Sequence, residues 1–152
     1  MAFNSKKLPL PIHENGTPFA RVDLRFLDVA HDSESFEGRI FFNEPDASAR
    51  TPTEVNAGYA GSLYVFGHPH CWGDDGHCAL PPGPLHGYDN RAPHHLVPQL
   101  HVVRVTHSVE RLIEAGARTV IVTVLPIVRK KASRRVSPGL LRFSRLELVS
   151  YD

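Results

Sequence analysis

The sequence predicts an all-β fold: an antiparallel β-sandwich of about six or seven strands, one short helix and a long His/Cys-rich loop. Three observations carry this. Apolar residues alternate with polar ones, or gather in short β-branched runs, in segments too short for helices. Thirteen prolines and eleven glycines in 152 residues call for many turns. One segment alone, near 108–116, spaces its apolar residues as a helix does.

Residues 1–20 read as an extended N-terminal arm, because Pro9, Pro11 and Pro18 exclude helix there. The rest, 21–152, reads as a single sandwich domain. From Arg21 the pattern has period two: Val22, Leu24 and Phe26 share one face, and Leu27 and Val29 then take the other parity. Such a slip predicts a β-bulge near Phe26 and Leu27. "GRIFFN", 38–43, is a second strand, and "DASARTPTEVNAG", 46–58, a turn-rich loop. "YAGSLYVFG", 59–67, is apolar on both parities and predicts a central strand buried on both sides.

About thirty residues, 67–98, then show no regular pattern. Irregular loops longer than about 12–15 residues are uncommon in compact domains and tend to be functional or disordered. "LHVVRVTH", 100–107, resumes strand character, with His101 and His107 on the parity of Val103 and Val105, hence core or sheet-face residues. A helix follows, with Ser108 as N-cap, Val109, Leu112 and Ile113 as its apolar stripe, and Gly116 as its stop. "TVIVTVLPIV", 119–128, is the strongest strand signal, being β-branched at most positions. "RKKASRR", 129–135, is a basic loop, and "LLRFSRLELVSY", 140–151, a closing strand whose phase slips between Phe143 and Leu146.

The net charge of +1 gives no electrostatic case for nucleic acid or membrane as a partner. No apolar run approaches the ~20 residues of a membrane span. "MAFNSKKLPLPIHENG" lacks the apolar centre of a secretory signal, so a cytoplasmic location is expected.

The chemistry concentrates in "GHPHCWGDDGHC", 67–78, which holds three of ten histidines and both cysteines. His68 and His70, two apart on an extended segment, project to one face. Cys71, His77 and Cys78 follow across "WGDDG", whose Gly73 and Gly76 permit a tight reversal. Imidazole and thiolate together suit copper, or zinc, and suit Mg²⁺ or Ca²⁺ poorly. The metal-ligand set expected is therefore His68, His70, Cys71, His77 and Cys78. Asp74 and Asp75 are outer partners for the imidazole N–H groups or plain turn residues. Two other readings stay open: a disulfide or redox pair at Cys71 and Cys78, and a solvated polar loop without a ligand.

Elsewhere the chemistry is thin. His13 and His31 look incidental, and of the adjacent His94 and His95 at most one can serve a given site. GxSxG, P-loop, GxGxxG and HExxH patterns are missing from the sequence. Ser62 in "AGSLY" reads as structural. "RKKASRR" reads as a solvated hairpin tip or a docking patch for an acidic protein surface.

The segments "RIFFNEPD" (39–46), "YAGSLYVFGHPH" (59–70), "SVERLIEAGARTVIVTVLP" (108–126) and "LRFSRLELV" (141–149) follow one another in a familiar order. In this the chain resembles the C-terminal β-sandwich domain, of Lys-Phe-Asp-Val type, of polyphenol oxidases and related tyrosinase-family proteins. The likeness spans about residues 20–151. "GRIFFN" stands where the Lys-Phe-Asp-Val motif would be, and "CWGDDGHC" has no counterpart in the plant pattern. In the family, oxidase activity resides in a separate helical domain with two histidine triads for a dicopper centre. This chain has neither the run of helices nor the triads. The resemblance therefore implies a noncatalytic domain that partners or shields a copper oxidase.

Three functions follow as expectations. The first is a copper-linked, noncatalytic metal-binding domain that binds or delivers copper through the His/Cys loop, where thiolates would favour Cu(I) and imidazoles would also admit Cu(II). The second is a small copper or zinc metalloenzyme, an oxidoreductase, with Tyr64, Trp72 or Tyr88 lining a substrate pocket. The third is a metal-free interaction module closed by a Cys71–Cys78 disulfide.

Overall fold

The computed structural model describes residues 2–11, 19–68, 96–128 and 139–152. Six strands of six to nine residues carry the fold: β3 (Arg21–Val29), β4 (Phe36–Phe42), β5 (Tyr59–Val65), β6 (Gln99–Arg104), β8 (Val122–Ile127) and β9 (Arg145–Tyr151). Three two-residue strands, β1 (Phe3–Asn4), β2 (Leu8–Pro9) and β7 (Thr119–Val120), add to them. Among the described residues every pairing is antiparallel, in sheets ordered β1-β8-β4-β5, β6-β3-β9 and β2-β7. The expected all-β sandwich is what forms.

The alternation read from the sequence sets the core. Val22, Leu24 and Phe26 of β3 face inward against Ile40, Leu63, Val65, Val122 and Val124 of the four-stranded sheet, and all are buried. Fully burying a side chain of this size contributes roughly 1.5–3 kcal/mol. The slip in β3 is a bulge: its register against β6 shifts between Phe26 and Val29, and Asp28 takes a left-handed φ of 55°. Ser144 stitches the bulge to the closing segment, its N–H donating to the Leu27 carbonyl and its hydroxyl to Asp28 Oδ2.

The N-terminal arm belongs to the sheets. β1 pairs with β8, β2 pairs with β7, and Leu10 and Phe19 are buried. Its prolines exclude helix but leave strand edges open to it.

Five expectations need correction. Among the described residues β5 is an edge strand and not a central one, with Leu63 and Val65 facing in while Tyr64 and the following Phe66 stay exposed. The helix, α1 (Thr106–Glu114), begins three residues early, with Val105 and not Ser108 at its N-cap. Strand β6 runs straight into it: Val105 N–H donates to the Val22 carbonyl, and Thr106 Oγ1 accepts from Val22 N–H. His107 consequently lies on the helix with its side chain 98% exposed, beside Glu110, and belongs to no core or sheet face. Residues 119–128 are interrupted at Ile121, whose N–H is taken by the Asn43 side chain. The closing strand begins only at Arg145. Leu140 is buried ahead of it, and Phe143 makes edge-to-face contacts with Phe3 and Phe26. The apolar stripe of α1 holds, with Val109 buried and Leu112 and Ile113 packed on the core, and Gly116 follows at φ 82°.

Candidate metal centre

Three described segments meet at one end of the sandwich. They are the β3–β4 connection at 30–35, the chain leaving β5 at 66–68, and the chain leading into β6 at 97–101. The first and second are joined by backbone bonds. His68 N–H donates to the His31 carbonyl at 2.7 Å, and Gly67 N–H donates to Ser35 Oγ at 2.9 Å. The fit is close enough that a Cβ on Gly67 would lie 1.9 Å from the Ser33 carbonyl oxygen. The 30–35 segment is itself fixed by Ala30 N–H on the Arg142 carbonyl and by the Arg142–Asp32 ion pair. Residue 68, where the His/Cys stretch begins, thus leaves the sandwich from a constrained position.

The side chains converge as well. His31 Nδ1 lies 3.3 Å from His68 Nδ1, with the rings edge-to-face at 81° and centroids 5.2 Å apart. His31 Nε2 lies 3.0 Å from the Val97 carbonyl oxygen. A carbonyl only accepts, so neutral His31 carries its proton on Nε2 and turns the Nδ1 lone pair toward His68. His31 is 6% exposed, although sequence reasoning passed over it. It sits outside any periodic segment, 37 positions from its partner, and no local pattern signals it.

Around this pair lie Phe66, which meets the His68 ring edge-on, and the exposed Val97. His101, half-buried on β6, bonds Gln99 Oε1 through Nε2. Burial lowers its pKa from the ordinary histidine value, and the neighbouring His31 acts in the same direction.

Of the five expected ligands, His68 is described and lies at this convergence. His70, Cys71, His77 and Cys78 lie outside the described residues, as do His94, His95, Trp72, Tyr88 and the basic loop. Among the described residues, no group of three or more His, Cys, Asp or Glu side chains is placed to hold a metal ion.

Ser62 plays the structural part expected of it. Its hydroxyl donates to Glu37 Oε1 at 2.8 Å and lies 2.9 Å from Tyr59 Oη, a side-chain network on the outer face of β4 and β5. Two grooves flank α1 on its β5 side, and Tyr64, a candidate pocket residue, lines neither. No described helix is long and apolar enough to cross a membrane.

No family model and no curated protein matches this chain. Along 100% of its length it is similar to a solved structure described as a latent aurone synthase, a polyphenol oxidase, from natural source, with 15% identity and a TM-score of 0.49. The chain spans 25% of that protein's length.

Proposed function

We propose that the chain is a noncatalytic, copper-linked metal-binding domain. It binds or delivers copper through His68, His70, Cys71, His77 and Cys78, with zinc as the alternative ion, and a copper oxidase is its proposed partner. The observation that carries this reading is the anchoring of His68. Its backbone is bonded to His31, its neighbour Gly67 is wedged against Ser33–Ser35, and its imidazole faces inward to a second ring nitrogen. A ligand whose backbone is fixed before the ion arrives loses less freedom on binding. Bound copper would supply a soft cationic centre for thiolate and imidazole. The chain's part is to present those donors, and a mixed set on a long loop suits stepwise ligand exchange during transfer.

The test is elemental analysis of untagged protein, followed by Cu(I) and Zn(II) competition titrations of wild type and of a Cys71→Ser/Cys78→Ser double variant. Stoichiometric metal in the wild type, with Cu(I) affinity lost in the double variant, supports the reading. Protein that takes up neither ion, with Cys71 and Cys78 oxidised together, would replace it with the interaction module.

A further inference from the structure

We propose that His31 is itself a metal ligand, and that His31 and His68 form a two-imidazole half-site for copper or zinc. The inference rests on the reading of His68 as a ligand and adds a donor from outside the 67–78 stretch.

Three observations point to it. The first is separation. Two nitrogens bound at ~2.0–2.1 Å to one tetrahedral ion stand about 3.3 Å apart, and the two Nδ1 atoms are 3.3 Å apart. In the ion's absence the same separation is spanned by an N–H···N hydrogen bond between the rings.

The second is the tautomer. Histidine ligands commonly give their other ring N–H to a carbonyl or carboxylate, which fixes the ring and leaves the ligating nitrogen bare. The Val97 carbonyl, 3.0 Å from His31 Nε2, does this for His31. Without an ion, the proton between the rings sits on His68 Nδ1 and points at His31. Binding moves that proton to His68 Nε2 or to solvent and leaves the Val97 bond intact.

The third is burial. His31 is 6% exposed among Val97, His68 and the 30–35 turn. Both of its nitrogens are engaged, Nε2 with the Val97 carbonyl and Nδ1 with His68. The two donors come from separate connections, one between β3 and β4 and one after β5. An ion held there would tie the loop to the sandwich and not merely close the loop on itself.

The test uses the full untagged chain. Zn(II) is added to ¹⁵N-labelled protein and the imidazole nitrogens are followed by long-range ¹H–¹⁵N correlation. His31 Nδ1 and His68 Nδ1 should shift together with the added zinc, while the His31 Nε2 proton persists. In parallel, His31→Gln should weaken Zn(II) and Cu(II) binding by at least about 100-fold, beyond the ~10–100-fold that losing an outer partner of a ligand costs. Pulsed EPR of Cu(II)-loaded wild type should count at least two coordinated imidazoles, and one fewer in the variant. Should His31→Gln fail to fold, the wild-type resonances and spectrum decide alone. Zinc that binds while His31 Nδ1 stays unmoved would overturn this inference and leave the copper-loop reading standing. A wild type that binds neither ion would end both.

Discussion

Gly67 runs so close to Ser33 that a methyl group on its Cα would overlap the Ser33 carbonyl oxygen, at 1.9 Å, and would crowd Glu34 and Ser35 as well. The obstacle is backbone, which no rotamer change can move aside. This contact, more than the φ of Gly67, demands glycine there, and it places His68 beside His31.

Gly67→Ala is therefore expected to destabilise the fold by at least ~2 kcal/mol, or to push the 67–68 segment off the 30–35 connection. For a chain of this length that is a fall of roughly 4–8 °C in Tm. Gly116→Ala is the control. Its φ is 82° and nothing lies within 4 Å of the added carbon, so it reports left-handed strain alone, about 1–2 kcal/mol. Thermal melts of both should rank Gly67→Ala as the worse, with metal affinity reduced in Gly67→Ala and unchanged in Gly116→Ala. Equal melts would show that the 33–35 backbone yields.

His101 links stability to pH. Its folded pKa lies below the ordinary histidine value of ~6.5, first through burial and then through His31. Between the folded and unfolded pKa values the unfolded chain binds more protons, so stability rises with pH in that window. The protein should be fully stabilised above about pH 7 and weaken as pH falls through 6. Urea midpoints for wild type should drop between pH 7.5 and 5.5 by more than those of His101→Gln, which has no proton to take up. Parallel drops would assign the acid sensitivity to another group.

The strand content of the fold is legible in the sequence because inward residues recur with period two. The β3 bulge is legible because a slip of parity has one local cause. The position of β5 is not legible. Its outward Tyr64 and the Phe66 that follows the strand are aromatic beside the inward Leu63 and Val65, and composition does not tell which face a neighbour covers. The start of α1 is hidden for a related reason. Thr106 spends its hydroxyl on the β3 backbone, a tertiary bond that local capping rules do not include. At the candidate site, His68 stands out through its spacing from His70 and the cysteines. His31 has meaning only once a connection from the first half of the chain is folded against the end of β5.

Asp28 occupies the bulge at φ 55°, a region that aspartate visits easily and β-branched residues do not. Its Oδ2 also receives the Ser144 hydroxyl. Asp28→Val should lose both the tolerated backbone and the bond, for a combined ~1–3 kcal/mol. Asp28→Asn should come close to wild type, since asparagine tolerates the same φ and keeps an acceptor. Denaturant midpoints separate them, and a Val variant as stable as wild type would mean that the bulge can shift its register.

Metal should stabilise the chain if the donors of the loop and of the 30–35 connection grip one ion. Binding to the folded state alone adds RT ln(1 + [L]/Kd), or about 2.7 kcal/mol at a free-ion concentration of 100 Kd. That corresponds to roughly 5–10 °C in Tm for a chain of this size. A chelator should reverse the gain, and His68→Gln should abolish most of it at the same ion concentration. The His101→Gln variant should keep it, since His101 bonds Gln99 and stands outside the His31–His68 contact. An equal gain in wild type and His68→Gln would place the ion elsewhere on the molecule. The sandwich would then be only a carrier for that other site, with the His31–His68 contact reduced to a hydrogen bond that pins the start of the loop.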